Sequence, residues 1–396
     1  MASSSPVRSW RSLRNLSLRQ FDQMQPSISP RSSLNHSRSL HSTTPLRSSS
    51  KTAPYSYSIA ASYIGKDRPF DPSTHVFHFN PYNRVQPPKK PRSKASRPES
   101  GQDAFFISRT QGGGVALGVA DGVGGWMDSG VDPADFSHAF CDYMAAAAYD
   151  TDITTSTPAR GIMQKGYDAV CRDPSIRAGG STAIVGILDA QKGNIQVANL
   201  GDSGFVHLRP NRVHAHSPAQ THAFNTPFQL SVIPQSMIRR MAAFGGAQLS
   251  DLPKDADVTR HDLSHGDVLV FASDGLWDNL FDQDVLRIVS GAMTRLGAWE
   301  KTEKGIRVAE DLNPFTTLEA EESGEKETAS LQSLLATEIV GAAKAASVNS
   351  RLDGPFAKEV KKYYPHENWR GGKVDDICVV VVVVSEGKEE RSKAKL

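Results

Sequence analysis

Short apolar runs bounded by Gly, Asp and Asn recur along the chain and predict strands at residues 105–109, 115–120, 183–188, 195–199, 205–208, 268–272 and 377–384. The last run is β-branched apart from Ile377's neighbour Cys378 and is far shorter than the ~20 residues that cross a bilayer, so it predicts a buried strand. Gln191-Lys192-Gly193-Asn194 reads as a hairpin turn, and Gly201-Asp202-Ser203-Gly204 as another tight connection. Helical periodicity predicts helices over 133–149, where Phe136, Phe140 and Met144 recur at fours behind Pro133, over 331–348, and near 235–244. Strands come in consecutive hairpins with helices grouped between them, which favours an α+β fold over an alternating parallel sheet. The expected architecture is two antiparallel β-sheets packed as a sandwich flanked by α-helices, α-β-β-α.

The chain has 396 residues, enough for one catalytic domain with flanking segments. With 45 basic against 43 acidic residues it lacks the overall charge of a protein that must pair with nucleic-acid phosphates. The charge is uneven. Residues 1–51 carry seven arginines and Lys51 against the single acid Asp22, amid many serines, the composition of an organellar transit peptide. Arginine dominance favours mitochondria, with the matrix as destination; serine richness keeps the plastid open, and a basic tail without an address is the alternative. Residues 1–50 are thus assigned to a transit peptide, 51–74 to a linker, 75–385 to the catalytic domain and 386–396 to a charged tail. Pro- and Lys/Arg-rich residues 86–100 read as an extended loop before the core. Residues 300–327 hold nine acids against four bases and read as a solvated acidic insertion loop, with docking as the other role such loops take. Cys141, Cys171 and Cys378 form no Cys-x-x-Cys signature and read as small core residues.

The chemistry lies in the carboxylates. Asp103, Asp121, Asp202, Asp274, Asp278 and Asp375 all stand at edges of predicted strands, several beside glycine. Any one of them reads as a turn former. Gathered together, they would repel one another unless cations neutralised them. An all-oxygen set suits Mg²⁺ or Mn²⁺, and without a His- or Cys-rich ligand set zinc is disfavoured. Two such ions can lower the pKa of a shared water and present it to a phosphate.

Six ordered pieces resemble the metal-dependent serine/threonine protein phosphatases of the 2C type. They are Gly101–Phe106, Asp121-Gly122-Val123-Gly124-Gly125, Gly180–Ala183, Ala198–Ser203, Ser273–Asp278 and Gly371–Ile377. Gly125-Trp126 with Gly130–Pro133, and Gln220-Thr221-His222 with Phe224–Pro227, resemble the compact mitochondrial branch of that family. The resemblance implies catalysis centred on Asp121, Asp274 and Asp375. Asp121 would bridge two metals with the Gly122 carbonyl on one ion, Asp274 and Asp375 would complete the other shell, and Asp103 would act through bound waters. Asp202 and Asp278, with Asp274, match the acids that bind a third ion in some members. The resemblance implies phosphoprotein substrates in mitochondria as partners, with no nucleic acid, no membrane span and a monomeric chain.

The sequence departs from the family in four places. The glutamate usual before the first aspartate is Gln102, and the phosphate-clamping arginine of animal members has no clear counterpart, Arg109 being a weak substitute. The turn histidine proposed as general acid is Val123, leaving a metal-bound water or His222 to supply the proton. Asp376 stands where the wider family has asparagine. The losses at Gln102 and Val123 admit a rival, a catalytically silent regulatory module that binds phosphoproteins. Trp126 and Trp277 read as core packing, and His214 and His216 as surface strand residues.

Overall fold

The structure is a computed structural model that describes residues 53–83, 85–151, 158–243, 250–317 and 329–387. The transit-peptide assignment, residues 318–327 of the acidic insertion and residues 388–396 of the tail lie outside the described residues.

The principal strands are β1 (Tyr55–Ile64), β2 (Val76–His78), β3 (Asp103–Arg109), β4 (Val115–Asp121), β5 (Ala183–Asp189), β6 (Asn194–Leu200), β7 (Gly204–Arg209), β8 (Arg212–His216), β9 (Asp257–Asp262), β10 (Val268–Ala272) and β11 (Ile377–Glu386). They form a six-stranded sheet, β2-β1-β11-β10-β7-β8, and a five-stranded sheet, β9-β6-β5-β4-β3. Every pairing within the two sheets is antiparallel. The helices used below are α1 (Pro133–Tyr149), α2 (Pro158–Arg172), α3 (Gln235–Ala243), α4 (Asp282–Arg295), α5 (Leu331–Ser347) and α6 (Pro355–Tyr363).

Strand β11 explains the layering. Successive side chains of a strand point to opposite faces. Cys378, Val380, Val382 and Val384 join the core between the sheets, while Ile377, Val379, Val381 and Val383 join a second core with α4 and α5. A strand covered on both faces must be apolar throughout, which is why its period-2 pattern vanishes. On the other side, α1 and α2 cover the five-stranded sheet through Phe136, Phe140, Met144, Ile162 and Met163. Helix α1 starts where Pro133 predicts, and Asp132 caps it by accepting the Ala134 N–H at 3.1 Å. The expected α-β-β-α order is the observed one.

Several sequence assignments need correction. Residues 51–74 are no linker, because β1 pairs along its whole length with β11. Its Ser and Ala positions lower the apparent hydrophobicity, yet Ala60 and Ser62 are fully buried, small because the layer above them is close. Residues 86–100 are tied to α1: Arg92 donates to Asp142 at 2.8 Å and Arg97 to Asp135 at 2.9 Å. The insertion starts as a packed hairpin, Trp299–Thr302 with Gly305–Val308, in which Trp299 is fully buried and donates to the Gly266 carbonyl at 3.1 Å. Glu386 ends β11 and does not belong to a tail. Helix α2 went unread because Gly166 sits in its apolar face, where Met144 and Phe140 leave no space for a larger residue.

Candidate metal centre

Antiparallel pairing brings the acids to one end of the sandwich. Asp103 opens β3 and Asp121 closes β4, and the two stand directly opposite in the register. In the other sheet β10 runs out at Ala272 beside the beginning of β11, with Ala272 opposite Val379. Residues just after β10 and just before β11 therefore meet, which places Asp274 near Asp375. Ser273 joins the two sheets: its hydroxyl donates to Asp103 Oδ2 at 2.6 Å and accepts the Cys378 N–H at 3.1 Å.

Asp121, Gly122, Asp202, Asp274 and Asp375 line one cavity of about 300 Å³, together with Lys66, Gln102, Val123, Thr182 and Lys373. Asp103 lies behind it, fully buried. Asp278 is joined to the group through Lys373, whose ammonium donates to Asp274 Oδ2 and Asp278 Oδ2 at 2.6 Å each and lies 3.2 Å from Asp375 Oδ2. The six acids singled out from the sequence thus belong to one cluster. Backbone contacts fix its rim: Thr182 Oγ1 accepts the Asp121 N–H at 3.2 Å, and Ser181 Oγ donates to the Asp121 carbonyl at 2.8 Å.

The electrostatics are those of crowded buried anions. Burial first, then Asp376, pushes Asp103 well above the ordinary carboxylate range. Burial, followed by Asp103 and Asp274, does the same to Asp121. Asp202 is pushed up to about 7 by burial and then Asp274, and Asp278 and Asp375 rise for the same two reasons against the pull of Lys373. Burial opposes ionisation of Asp274 as well, but the adjacent Lys373 ammonium outweighs it and holds that carboxyl below its usual range. For Lys373 burial favours the neutral amine; the surrounding carboxylates overcome it and raise its pKa.

Two observations bear on whether hard cations suit this cluster. Asp103 Oδ1 is buried with no hydrogen-bond partner, an acceptor left open. Lys373 already supplies a cation to three carboxylates. As the side chains stand, no group of three Asp, Glu, His or Cys residues among the described residues is arranged to hold an ion. The donor set is all oxygen and short of positive charge, so it fits hard divalent ions.

Other sequence candidates fall outside. Arg109 is at the far end of β3 from Asp103, six residues or roughly 20 Å along the strand. His222 contacts Asp251 Oδ2 at 3.0 Å and stacks on Phe228, and it does not line the cavity. Trp126 donates to Gln229 and Trp277 to the Ala272 carbonyl, each at 3.0 Å, as structural residues do. His214 and His216 are exposed on β8. Asp376 has a structural task, accepting the N–H groups of Lys66 at 2.7 Å and Gln102 at 2.9 Å. Gly101 must be glycine there: its φ is +68°, and a Cβ would lie 2.2 Å from Asp376 Oδ1.

The sequence reading gave no role to two lysines of the cavity. Lys373 lies inside the Gly371–Ile377 motif, and a lone base between Gly-Gly and Asp-Asp is the signal. Lys66 lay in the supposed linker. Its N–H is held by Asp376 and its carbonyl accepts from Lys344 Nζ at 2.5 Å, which fixes the backbone from which its side chain reaches the cavity.

Comparison with known proteins agrees with the geometry. The family profile described as protein phosphatase 2C matches residues 92–314. A Drosophila ananassae protein named protein phosphatase PTC7 homolog fig is 32% identical over 309 residues, covering 78% of this chain and 80% of that one. The Saccharomyces cerevisiae protein phosphatase 2C homolog 7, mitochondrial, is 28% identical over 342 residues, 85% of each chain. Among solved structures, the photosystem II phosphatase PBCP shares the fold, with a TM-score of 0.55 at 23% identity over 83% of this chain and 98% of that one. Among the described residues no helix is long and apolar enough to cross a membrane. The chain belongs to the protein phosphatase 2C family and is a metal-dependent serine/threonine protein phosphatase.

Proposed function

We propose that this chain dephosphorylates phosphoserine and phosphothreonine in mitochondrial proteins, with two divalent ions, Mg²⁺ or Mn²⁺, held at the carboxylate cluster. Asp121 and the Gly122 carbonyl, Asp274 and Asp375 are the ligands in this reading, and Asp103 supports them from behind. Its main support is the meeting of Asp121, Asp274 and Asp375, distant in sequence, on the wall of one cavity. The ions, when bound, supply the charge that acidifies water and neutralises the transferring phosphoryl group.

The chain's own groups divide the remaining work. Ser273 and the strand register hold Asp103 opposite Asp121. Lys66 is held to Asp376 through its backbone N–H, but its ammonium makes no hydrogen bond or ion pair with the acids among the described residues, and it faces the incoming phosphate. Val123 lines the same wall and cannot donate a proton, so the departing hydroxyl takes its proton from water in the open cavity. None of the three cysteines lines the cavity, in keeping with direct attack by water and no phospho-cysteine. A mitochondrial address is supported by the arginine-rich first 51 residues and by the name of the yeast relative; within mitochondria we place the protein in the matrix.

The test compares wild-type, Asp121→Asn and Asp274→Asn chains on a phosphothreonine peptide with Mn²⁺, then with EDTA. Wild-type turnover should stop with chelator and return with metal, and both variants should lose it while still unfolding cooperatively. Retained Mn²⁺-dependent turnover in either variant refutes the ligand set. A folded wild type without turnover would favour the silent regulatory reading.

A further inference from the structure

Lys373 is built into the cluster, not laid over it. Its N–H donates to Asn279 Oδ1 and its carbonyl accepts from Asn279 Nδ2, both at 2.9 Å, while the preceding Gly372 N–H donates to the Asn349 carbonyl at 3.1 Å. The side chain is 16% exposed, and its ammonium is 5.2 Å from the centre of the Phe356 ring. From this fixed base it reaches Asp274, Asp278 and Asp375 together. Two of these contacts are 2.6 Å, short even for charge-assisted hydrogen bonds.

Asp274 and Asp278 are also two of the three acids that would hold a third ion beside the proposed pair. We infer that Lys373 is a tethered cation standing in the place of that third ion, so that this chain binds two divalent ions and no third. The inference rests on the ligand set proposed above. An ion entering between Asp274 and Asp278 would have to break both short contacts and then stand beside a displaced ammonium with little access to water. The ammonium is covalently attached and needs no free ion in solution, so it competes at every metal concentration. Lys373 is a positioning residue in this account: it touches the acids, not the substrate.

The experiment is equilibrium dialysis of the full chain against Mn²⁺ followed by metal analysis, with wild type, Lys373→Met and Lys373→Arg. Methionine keeps the length of the side chain without its charge. The expected counts are two ions per chain for wild type and Lys373→Arg, and three for Lys373→Met, with a larger Mn²⁺-induced rise in Tm for Lys373→Met. Three ions on wild type, or two on both wild type and Lys373→Met, would overturn the inference and leave the ligand set standing. No bound ion on folded wild type would instead remove the ligand set itself, and the inference with it. Should Lys373→Met not fold, wild type decides alone: with saturating Mg²⁺ the Lys373 Nζ resonance should stay visible and protected from exchange by NMR, and its release to solvent would refute the proposal.

Discussion

Gly275 separates Asp274 from Leu276 at the point where the end of β10 passes the start of β11, and replacing it tests whether that passage positions the site. A Cβ on Gly275 would lie 1.9 Å from the Asp376 carbonyl oxygen and 3.0 Å from its carbon. Ordinary contact begins at 3.4 Å, so the two segments must part by about 1.5 Å. The obstructing atoms are backbone, which cannot rotate away as a side-chain tip would. Overpacking of this kind costs about 1–3 kcal/mol. With rigid neighbours on both sides we expect Gly275→Ala near the upper end, a fall in Tm of roughly 3–5 °C. The displaced segments carry Asp274 on one side and Asp375 on the other, and a misplacement of about 1 Å can cost ~100-fold in rate. Turnover at saturating Mn²⁺ and phosphopeptide should therefore drop on the order of 100-fold well below the melting transition. The matched control is Gly291→Ala, an exposed position within α4 whose added Cβ meets nothing within 4 Å. There the greater helix propensity of alanine should stabilise the fold by about 0.5–1 kcal/mol with activity unchanged. A Gly275→Ala protein with wild-type Tm and turnover would refute the argument that this close approach aligns the acids.

Lys66→Ala should raise the phosphopeptide KM about 10- to 100-fold, the scale of one hydrogen bond to a charged group, and weaken inhibition by inorganic phosphate in parallel, with Lys66→Arg restoring much of both; unchanged KM and phosphate inhibition would remove Lys66 from substrate capture. His138 provides a pH test: burial, only partly offset by its contact with the Gly101 carbonyl, lowers its pKa to about 4. The unfolded chain then binds the proton that the folded chain refuses, so stability is lost as pH falls from about 6.5 to 4, by up to about 3 kcal/mol. Urea titrations across that range should show a shallower loss for His138→Gln than for wild type, and identical pH slopes would contradict the reading.

What the sequence revealed and what it hid follow from the same physics. Residues 377–384 were legible as a buried strand because both faces are covered, and 133–149 as a helix because one face is. The acids were legible because Asp-Gly turns at strand ends are local features, and antiparallel pairing then gathers them without any further instruction. Strand β1 was hidden by Ser and Ala positions whose small size is a demand of the layer above, known only once that layer is in place. Losing β1 also lost Lys66, since a base in a linker suggests nothing. Helix α2 was hidden in the same manner, its Gly166 being a packing requirement that resembles a helix breaker.

The roles of the lysines expose a sharper limit. Carboxylate spacing implies a cation, but not whether the cation is an ion or a side chain. Here Lys373 answers part of the demand from within the chain, and it does so at Asp274, Asp278 and Asp375 while Asp103 Oδ1 is left without a partner. The unmet charge therefore lies toward Asp103 and Asp121, which Lys373 does not contact and whose carboxyls burial and neighbouring acids push well above the ordinary range. Divalent ions added to this chain should act first on that side of the cavity, and Asp121→Asn should abolish the Mn²⁺-induced rise in Tm far more completely than Asp278→Asn does. Equal losses from the two substitutions would mean that Lys373 does not divide the cluster, and that all the acids share their cations as one set.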